Sequence, residues 1–529
     1  MNPEAPAKKA KRLSLTNVAS LLIATAFVGQ LLGFLRTKLV NGNFPTVGPH
    51  STDAYFAAFT IPDFFFFTLA AGALGVAFMP VLSDRLHKGD RKGMWQISNS
   101  LMNLLAIAMF FVGVFILIFA EPLIKHVVAP GLSPPQLKTA AEIMRLLAFN
   151  PLLFAISGVL ASVQQTMGRF FFYAAAPLFY NLTIIVSIFV FKNNIGLVGL
   201  GLGALIGAVL QLIIVAVGVY KLGFHWRPKI LWKSKDFHSI MRNLPPRSLD
   251  QGVDQVENIV ETHIASGLGT GNITYYNNAF ILATAPIILI GTTISTAAFP
   301  RLNTRLSHGR PDLFRKDFLM VLRAMIWIAA PTVVIAFFAR GYLARMIYTR
   351  GSAQIATIFG FLIGAIFFRI LYTIISRWFY SQKDTVTPLI VSLVAIALNI
   401  GLAVTLANPS RYGVAGLALA QSIVAAVEVF ILSVIMLFRD PKLFDATFWS
   451  GVVKIMSVTG FSVVTAFILI SAYPLEITDR GFMTLGFKLL VITAATFGVH
   501  IAVSMLFGLE EVRPVINRIR KIVLNPVKI

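Results

Sequence analysis

Gly196-Leu-Val-Gly-Leu-Gly-Leu-Gly203 stands at the head of a long apolar run, and Gly413-Val-Ala-Gly-Leu-Ala-Leu-Ala420 repeats it in a second such run. A second pair keeps nearly the same offset, about 220 residues. Ala54-Tyr-Phe-Ala-Ala-Phe59, then Phe78-Met-Pro80 and Arg85-Leu86, returns as Tyr275-Tyr-Asn-Asn-Ala-Phe280, Phe299-Pro300 and Arg305-Leu306. Two ordered matches at one offset imply two homologous halves. In a chain this apolar, homologous halves point to a transporter, because a site between two similar bundles can open to each side in turn.

Hydrophobic residues make up 57% of the chain and charged residues 13%. A soluble chain of this length needs far more surface charge, so a polytopic membrane protein is expected. Apolar runs of spanning length place about fourteen helices. They fall near 13–38, 52–82, 94–120, 137–166, 171–191, 195–221, 238–267, 273–304, 314–339, 351–379, 386–407, 412–438, 446–473 and 483–508. The expected fold is all-α, with two pseudo-symmetric six-helix lobes around a central cavity and two further C-terminal helices. The expected divisions are a basic N-terminus over 1–12, lobes over 13–221 and 238–438, a cytoplasmic linker over 222–237, the two last helices over 439–508 and a basic tail over 509–529.

The first apolar run has the basic flank of a secretory leader, Lys8-Lys9-Ala-Lys11-Arg12, but it is long, and Arg36 and Lys38 follow without a small-residue cleavage site. A retained first helix is expected. The net charge of +23 is read as the positive-inside rule rather than nucleic-acid binding. Lys and Arg gather in alternate connections: 85–92, 221–242, 301–316 and the tail. This puts both termini in the cytoplasm. Arg340, Arg345 and Arg350 depart from the alternation and mark either an outer binding mouth or a short interfacial helix. With no cysteine, disulfides, thiolate metal sites and cysteine catalysis are excluded. No Walker motif, nucleophile elbow, Rossmann fingerprint or metal-ligand spacing of histidines is present. A non-enzyme without cofactor is therefore expected, driven by an ion gradient, the membrane potential or its substrate's own gradient.

Ionisable residues at membrane depth cost several kcal/mol, so they face a cavity or a partner. Asp250, Asp254, Glu257 and Glu261 are spaced four, three and four apart, on one face of a helix. The stripe reads as cavity-lining, with coupling to Na+ or H+ as its functional use and pairing with Arg36, Arg323 or Arg369 as the structural alternative. Arg369 either binds phosphate or neutralises this stripe. Glu142 and Arg145 read as a local ion pair, Glu428 as a lobe contact or a functional group, and Asn399 as helix packing. Lys454 and Lys488 read as snorkelling side chains. Phe64 to Phe67 either grips a polyprenyl chain or simply packs.

Several segments together resemble the MurJ (MviN) lipid II flippase family of the multidrug/oligosaccharidyl-lipid/polysaccharide flippase superfamily. They are Leu32-Gly-Phe-Leu-Arg36, Thr52-Asp-Ala-Tyr-Phe56 running to Ile61-Pro62 and Gly72-Ala73, Asn150-Pro151 through Arg169-Phe170 to Ala176-Pro177 and Asn181, Arg350-Gly351, and Phe379-Tyr-Ser-Gln-Lys-Asp-Thr-Val-Thr-Pro388. The resemblance implies a bacterial cytoplasmic-membrane flippase for an undecaprenyl-pyrophosphate-linked sugar. It implies that Arg36 contacts the pyrophosphate or helps Asp53 close the outer side, since a guanidinium fork suits phosphate oxygens. Gln30, Phe66 and Ala279 stand where the family carries arginines, and Ala71 where it carries a glutamate. Rivals are a translocase of another lipid-linked oligosaccharide, a cation-coupled exporter, and a non-transporting scaffold of cell-wall synthesis. Membrane lipids and cell-wall synthesis proteins are the expected partners; nucleic acid is not.

Overall fold

The computed structural model describes residues 15–71, 78–220, 222–476, 478–479 and 481–517, and it leaves the side chains of 15–20, 23, 71 and 243–251 undescribed. The basic flank 8–12, Gly72-Ala73, the Ala71 side chain, the Asp250 side chain and the end of the tail lie outside the described residues. Among the described residues every regular element is helical.

The chain divides into two compact units. The first, formed by residues up to Phe44 and Pro49–Ile259, contains α1 (Leu15–Asn43), α2 (Asp53–Phe65), α3 (Met79–His87), α4 (Arg91–Pro122), α5 (Pro134–Leu147), α6 (Asn150–Thr166), α7 (Phe171–Phe191) and α8 (Val198–Tyr220). The division falls inside α9 (Lys235–Gly267). The second unit, Pro45–Gly48 with Val260–Ile529, contains the end of α9, α10 (Asn272–Pro286), α11 (Thr293–Ser307), α12 (Pro311–Phe338), α13 (Arg340–Ile347), α14 (Ser352–Phe361), α15 (Ile363–Ser381), α16 (Val386–Leu406), α17 (Ala415–Arg439), α18 (Ala446–Ala472) and α19 (Phe482–Leu506).

Among the described residues 11 helices are long and apolar enough to cross a membrane. The expected spans 13–38 and 52–82 contain residues outside the described set, and 238–267 forms α9, a continuous helix too rich in charge to qualify on composition. Arg340 and Arg345 lie on a short helix of 8 residues, Arg340–Ile347, and Arg350 follows it.

The repeat is visible in backbone geometry. Gly196 and Gly413 both take positive φ, 59° and 54°, each two residues before its helix, α8 or α17. A side chain is disfavoured in that conformation. Gly89 and Gly309 likewise share positive φ, 74° and 64°, in the turns α3–α4 and α11–α12. Each unit also breaks its second helix in the same way. α2 carries Pro62 and passes into a π-helical turn at Phe66–Ala71, while α10 ends on Pro286 and passes into one at Ile287–Thr292. A proline cannot donate to the helical ladder, and one extra residue in the turn absorbs the mismatch.

The glycines of the repeated segment let helices approach closely. A Cβ at Gly203 would lie 2.2 Å from Ser187 Oγ, and one at Gly207 2.3 Å from Thr183 Oγ1, so α8 sits against α7 almost backbone to backbone. In α17 a Cβ at Gly416 would lie 2.3 Å from the Leu406 carbonyl oxygen. Small residues at such seams replace the hydrophobic drive that lipid cannot supply between helices.

Candidate functional site

In the second unit one set of polar residues within the apolar helices forms a chain of contacts. On α9, Glu261 is 5% exposed, and its Oε1 accepts from Gln421 Nε2 at 2.8 Å and Asn399 Nδ2 at 3.4 Å. The other end of the Gln421 amide faces Arg369, with Oε1 3.5 Å from Nη2. Arg369 Nη1 lies 3.3 Å from Glu428 Oε2, and Glu428 Oε1 accepts from Ser392 Oγ at 2.6 Å. Tyr372 extends the chain, its hydroxyl 3.2 Å from Ser392 Oγ.

Four helices meet here. α15 carries Arg369 and Tyr372, α16 carries Ser392 and Asn399, α17 carries Gln421 and Glu428, and α9 contributes Glu261. Glu428 is 1% exposed, and a buried carboxylate needs both a counter-charge and donors. Arg369 supplies the charge and Ser392 the second donor. Arg369 thus pairs with Glu428, which lies outside the acidic stripe, while its charge also reaches Glu261 of that stripe.

The acidic stripe is not uniform. Glu257 is 7% exposed and buried like Glu261, whereas Asp254 is exposed. Arg323 does not belong to it. Its guanidinium packs where a Gly451 side chain would stand and pairs with Glu511 at 2.5 Å. Nor does Arg145 pair with Glu142. The i,i+3 spacing suggested that contact, but Arg145 Nη2 meets Glu121 Oε2 at 3.9 Å, where the end of α4 approaches α5.

In the first unit Arg36 on α1 and Asp53 on α2 come from two different helices. Asp53 is 1% exposed in the first turn of α2, where its charge complements the helix N-terminus. The charge of Arg36 acts on three groups: Asp63 and Tyr55 of α2, and Tyr180 of α7. Neither the Arg36 nor the Asp63 side chain makes an ion pair or hydrogen bond with another described residue. Sequence reading passed over Asp63; its signal was an acid one residue after the helix-breaking Pro62. Of the phenylalanine run, Phe66 meets Phe154 at 5.5 Å and Phe65 meets Phe115 at 6.2 Å, both edge-on. This is packing within the first unit.

The last two helices dock through polar groups. His500 on α19 contacts Ser462 Oγ of α18 at 2.9 Å through Nδ1 and the Trp327 carbonyl of α12 at 3.1 Å through Nε2. Trp327 Nε1 donates to Ser504 Oγ at 2.8 Å. Lys488 is held by Asp479 at 2.7 Å, while Lys454 is exposed.

A family model described as "Lipid II flippase MurJ" matches residues 49–492. The chain belongs to that family. A probable lipid II flippase MurJ of Borreliella burgdorferi is 23% identical over 461 residues, covering 86% of this chain and 88% of the relative. A probable lipid II flippase MurJ of Bdellovibrio bacteriovorus is 23% identical over 537 residues, covering 98% and 99%. The fold is similar to that of a solved structure titled "Lipid II flippase MurJ, inward closed conformation", with a TM-score of 0.75 and 22% identity over 92% of this chain and 98% of that one. Membership makes this a multi-pass membrane protein of a transporter family. Within that family, Phe66 is taken up in aromatic packing and Ala279 is fully buried. Neither position presents a charge.

Proposed function

We propose that the chain is a flippase that translocates lipid II, the lipid-linked peptidoglycan precursor, across the bacterial cytoplasmic membrane by alternating access. The family match over residues 49–492 carries this reading. The repeated order of elements and the paired π-helical breaks support two equivalent halves, as alternating access requires. Arg36 supports an anionic head group: it is a guanidinium with no ion pair among the described residues, and its forked donors suit pyrophosphate oxygens. Arg369, engaged by Glu428 and Gln421, acts as a structural counter-charge. Both ends of the chain lie on the cytoplasmic side. Glu257 couples transport to Na+ or H+.

The uncharged Phe66 and Ala279 favour a second reading, a translocase of a different lipid-linked oligosaccharide with fewer phosphate contacts. Complementation of a conditional MurJ-depleted bacterium separates the two. Growth supports lipid II translocation. Failure to grow, with activity in liposomes on another polyprenyl-linked sugar, establishes the second reading.

A further inference from the structure

Between α8 and α9 the chain crosses residues 222–234 without helix, yet this segment is fixed. Asn99, Ser100 and Asn103, on one side of α4, hold its backbone like rungs. Asn99 donates to the His225 carbonyl at 3.1 Å and accepts from the Arg227 amide at 3.0 Å. Asn103 Nδ2 donates to the carbonyls of Arg227 and Lys229 at 2.7 and 3.2 Å, while its Oδ1 accepts from Trp226 Nε1 at 2.9 Å. Ser100 Oγ accepts from the Leu231 amide at 3.0 Å. Phe224 stacks edge-on against Trp95 at 5.2 Å. Where the segment enters α9, Asp236 is clasped by Arg85.

The depth of this strap follows from α4. With its π-helical end, Arg91–Val128 runs 38 residues. At 1.5 Å per residue that is about 57 Å, against a hydrocarbon core of about 30 Å. The uncharged run 104–120 fits the core, so the surplus falls at the two charged ends, one of which carries Asn99, Ser100 and Asn103. The strap lies on those turns, at head-group level. There it exposes Arg227, Lys229, Lys233 and Lys235, together with Trp226 (61% exposed) and Trp232 (57% exposed). No acidic residue falls in 222–235, and Asp236, the next one, is occupied by Arg85. Amphipathic indoles belong at the membrane–water boundary, and juxtamembrane lysines and arginines are drawn to anionic lipid.

We propose that the 225–235 strap is a docking surface for the head groups of anionic phospholipids. The ladder on α4 pre-orders it, so binding lipid does not have to order a loop. The inference rests on membrane embedding and not on the identity of the transported substrate.

The test uses the full chain in nanodiscs of phosphatidylcholine alone, or with about 30% phosphatidylglycerol, each doped with a lipid bearing a nitroxide on its head group. The quenching due to Trp226 and Trp232 is the difference between the native chain and Trp226→Phe/Trp232→Phe. It is expected to rise about two-fold with anionic lipid at low salt and to lose that rise at high salt. Arg227→Gln/Lys229→Gln/Lys233→Gln/Lys235→Gln should abolish the rise without shifting the thermal midpoint. Equal quenching in both lipid mixtures overturns the proposal. So does reversal of the rise by millimolar inorganic pyrophosphate at constant ionic strength, which would assign the patch to a soluble or substrate phosphate. Failure of lipid II transport would leave the quenching result unaffected.

Discussion

Glu428 and Arg369 pair at 3.3 Å across α17 and α15, with Glu428 1% exposed. Breaking a buried pair leaves an uncompensated charge, which costs more than removing both partners. Arg369→Met should therefore destabilise the protein by about 3 kcal/mol, and adding Glu428→Leu should recover part of that loss. Thermal unfolding of the three variants in one detergent checks this. A double variant less stable than Arg369→Met would show that the carboxylate has another role.

The all-helical character was legible because apolar run length is a local signal. The pairing of charges was not. Arg369 and Glu428 lie on separate helices, and no periodicity says which rotations bring them together. Glu142 and Arg145 show the converse: the i,i+3 spacing was correct helical geometry, but the end of α4 presented Glu121. Gln421 was overlooked because a neutral amide in an apolar run carries no charge signal, although it connects Glu261 with Arg369. The π-helical turns could have been suspected from Pro62 and Pro286, since both prolines sit inside long apolar runs.

Arg36 and Asp63 act on each other through space on α1 and α2. Arg36→Ala is expected to abolish transport while the protein still folds. Arg36→Lys should restore little, because an ammonium lacks the forked donors for phosphate oxygens. Exchanging the two as Arg36→Asp/Asp63→Arg should also fail if the guanidinium serves substrate from α1. Transport by the exchanged variant would instead mark a structural pair. Liposome translocation assays, with detergent-extracted yield as the folding control, distinguish these outcomes.

Glu257 and Glu261 are both buried one turn apart on α9, and Glu261 accepts from two side-chain amides, Gln421 and Asn399. Glu261→Gln would keep one acceptor oxygen for Gln421 and Asn399 but turn the other into a donor and remove the charge that Arg369 acts on, so it should lower thermal stability by about 1–3 kcal/mol. Glu257→Gln is expected to change the pH or sodium dependence of transport more than it changes folding. Unaltered pH and sodium profiles in Glu257→Gln would remove the ion-coupling role and leave a structural one.

Asp384 caps the turn between α15 and α16. Its Oδ1 accepts from the amides of Val386 and Thr387 at 3.0 Å each, and Oδ2 from the Thr387 hydroxyl at 2.6 Å and Arg439 at 2.7 Å. Burial raises the carboxyl's pKa, but Thr387 and Arg439 outweigh it and hold it at about 2. A depressed folded-state pKa stabilises the fold above the unfolded carboxylate value and loses that contribution as pH falls toward 2. Arg439 is 38% exposed, so screening limits the contribution to about 1 kcal/mol. Asp384→Asn should lower the thermal midpoint at pH 7 and flatten its fall between about pH 4 and pH 2. An unchanged acid limb in the variant would assign the acid sensitivity to other carboxylates.

Gly416 and Gly401 give a matched test of the close packing that the repeated glycines imply. A Cβ at Gly416 would stand 2.3 Å from the Leu406 carbonyl oxygen and 2.6 Å from the Ala407 amide nitrogen, both backbone atoms, so no side chain can swing away. Gly401, in α16, has nothing within 4 Å of the same added atom. In a helix interior alanine is otherwise the better residue by about 1 kcal/mol. Gly401→Ala should therefore be neutral or stabilising. Gly416→Ala must push α17 away from the end of α16, at a cost of about 1–3 kcal/mol. Because Ser392 on α16 and Gln421 and Glu428 on α17 share the Arg369 network, that displacement should also weaken transport. Equal thermal midpoints for the two alanine variants would show that the seam yields without cost, and would remove close approach as the reason for the repeated small residues.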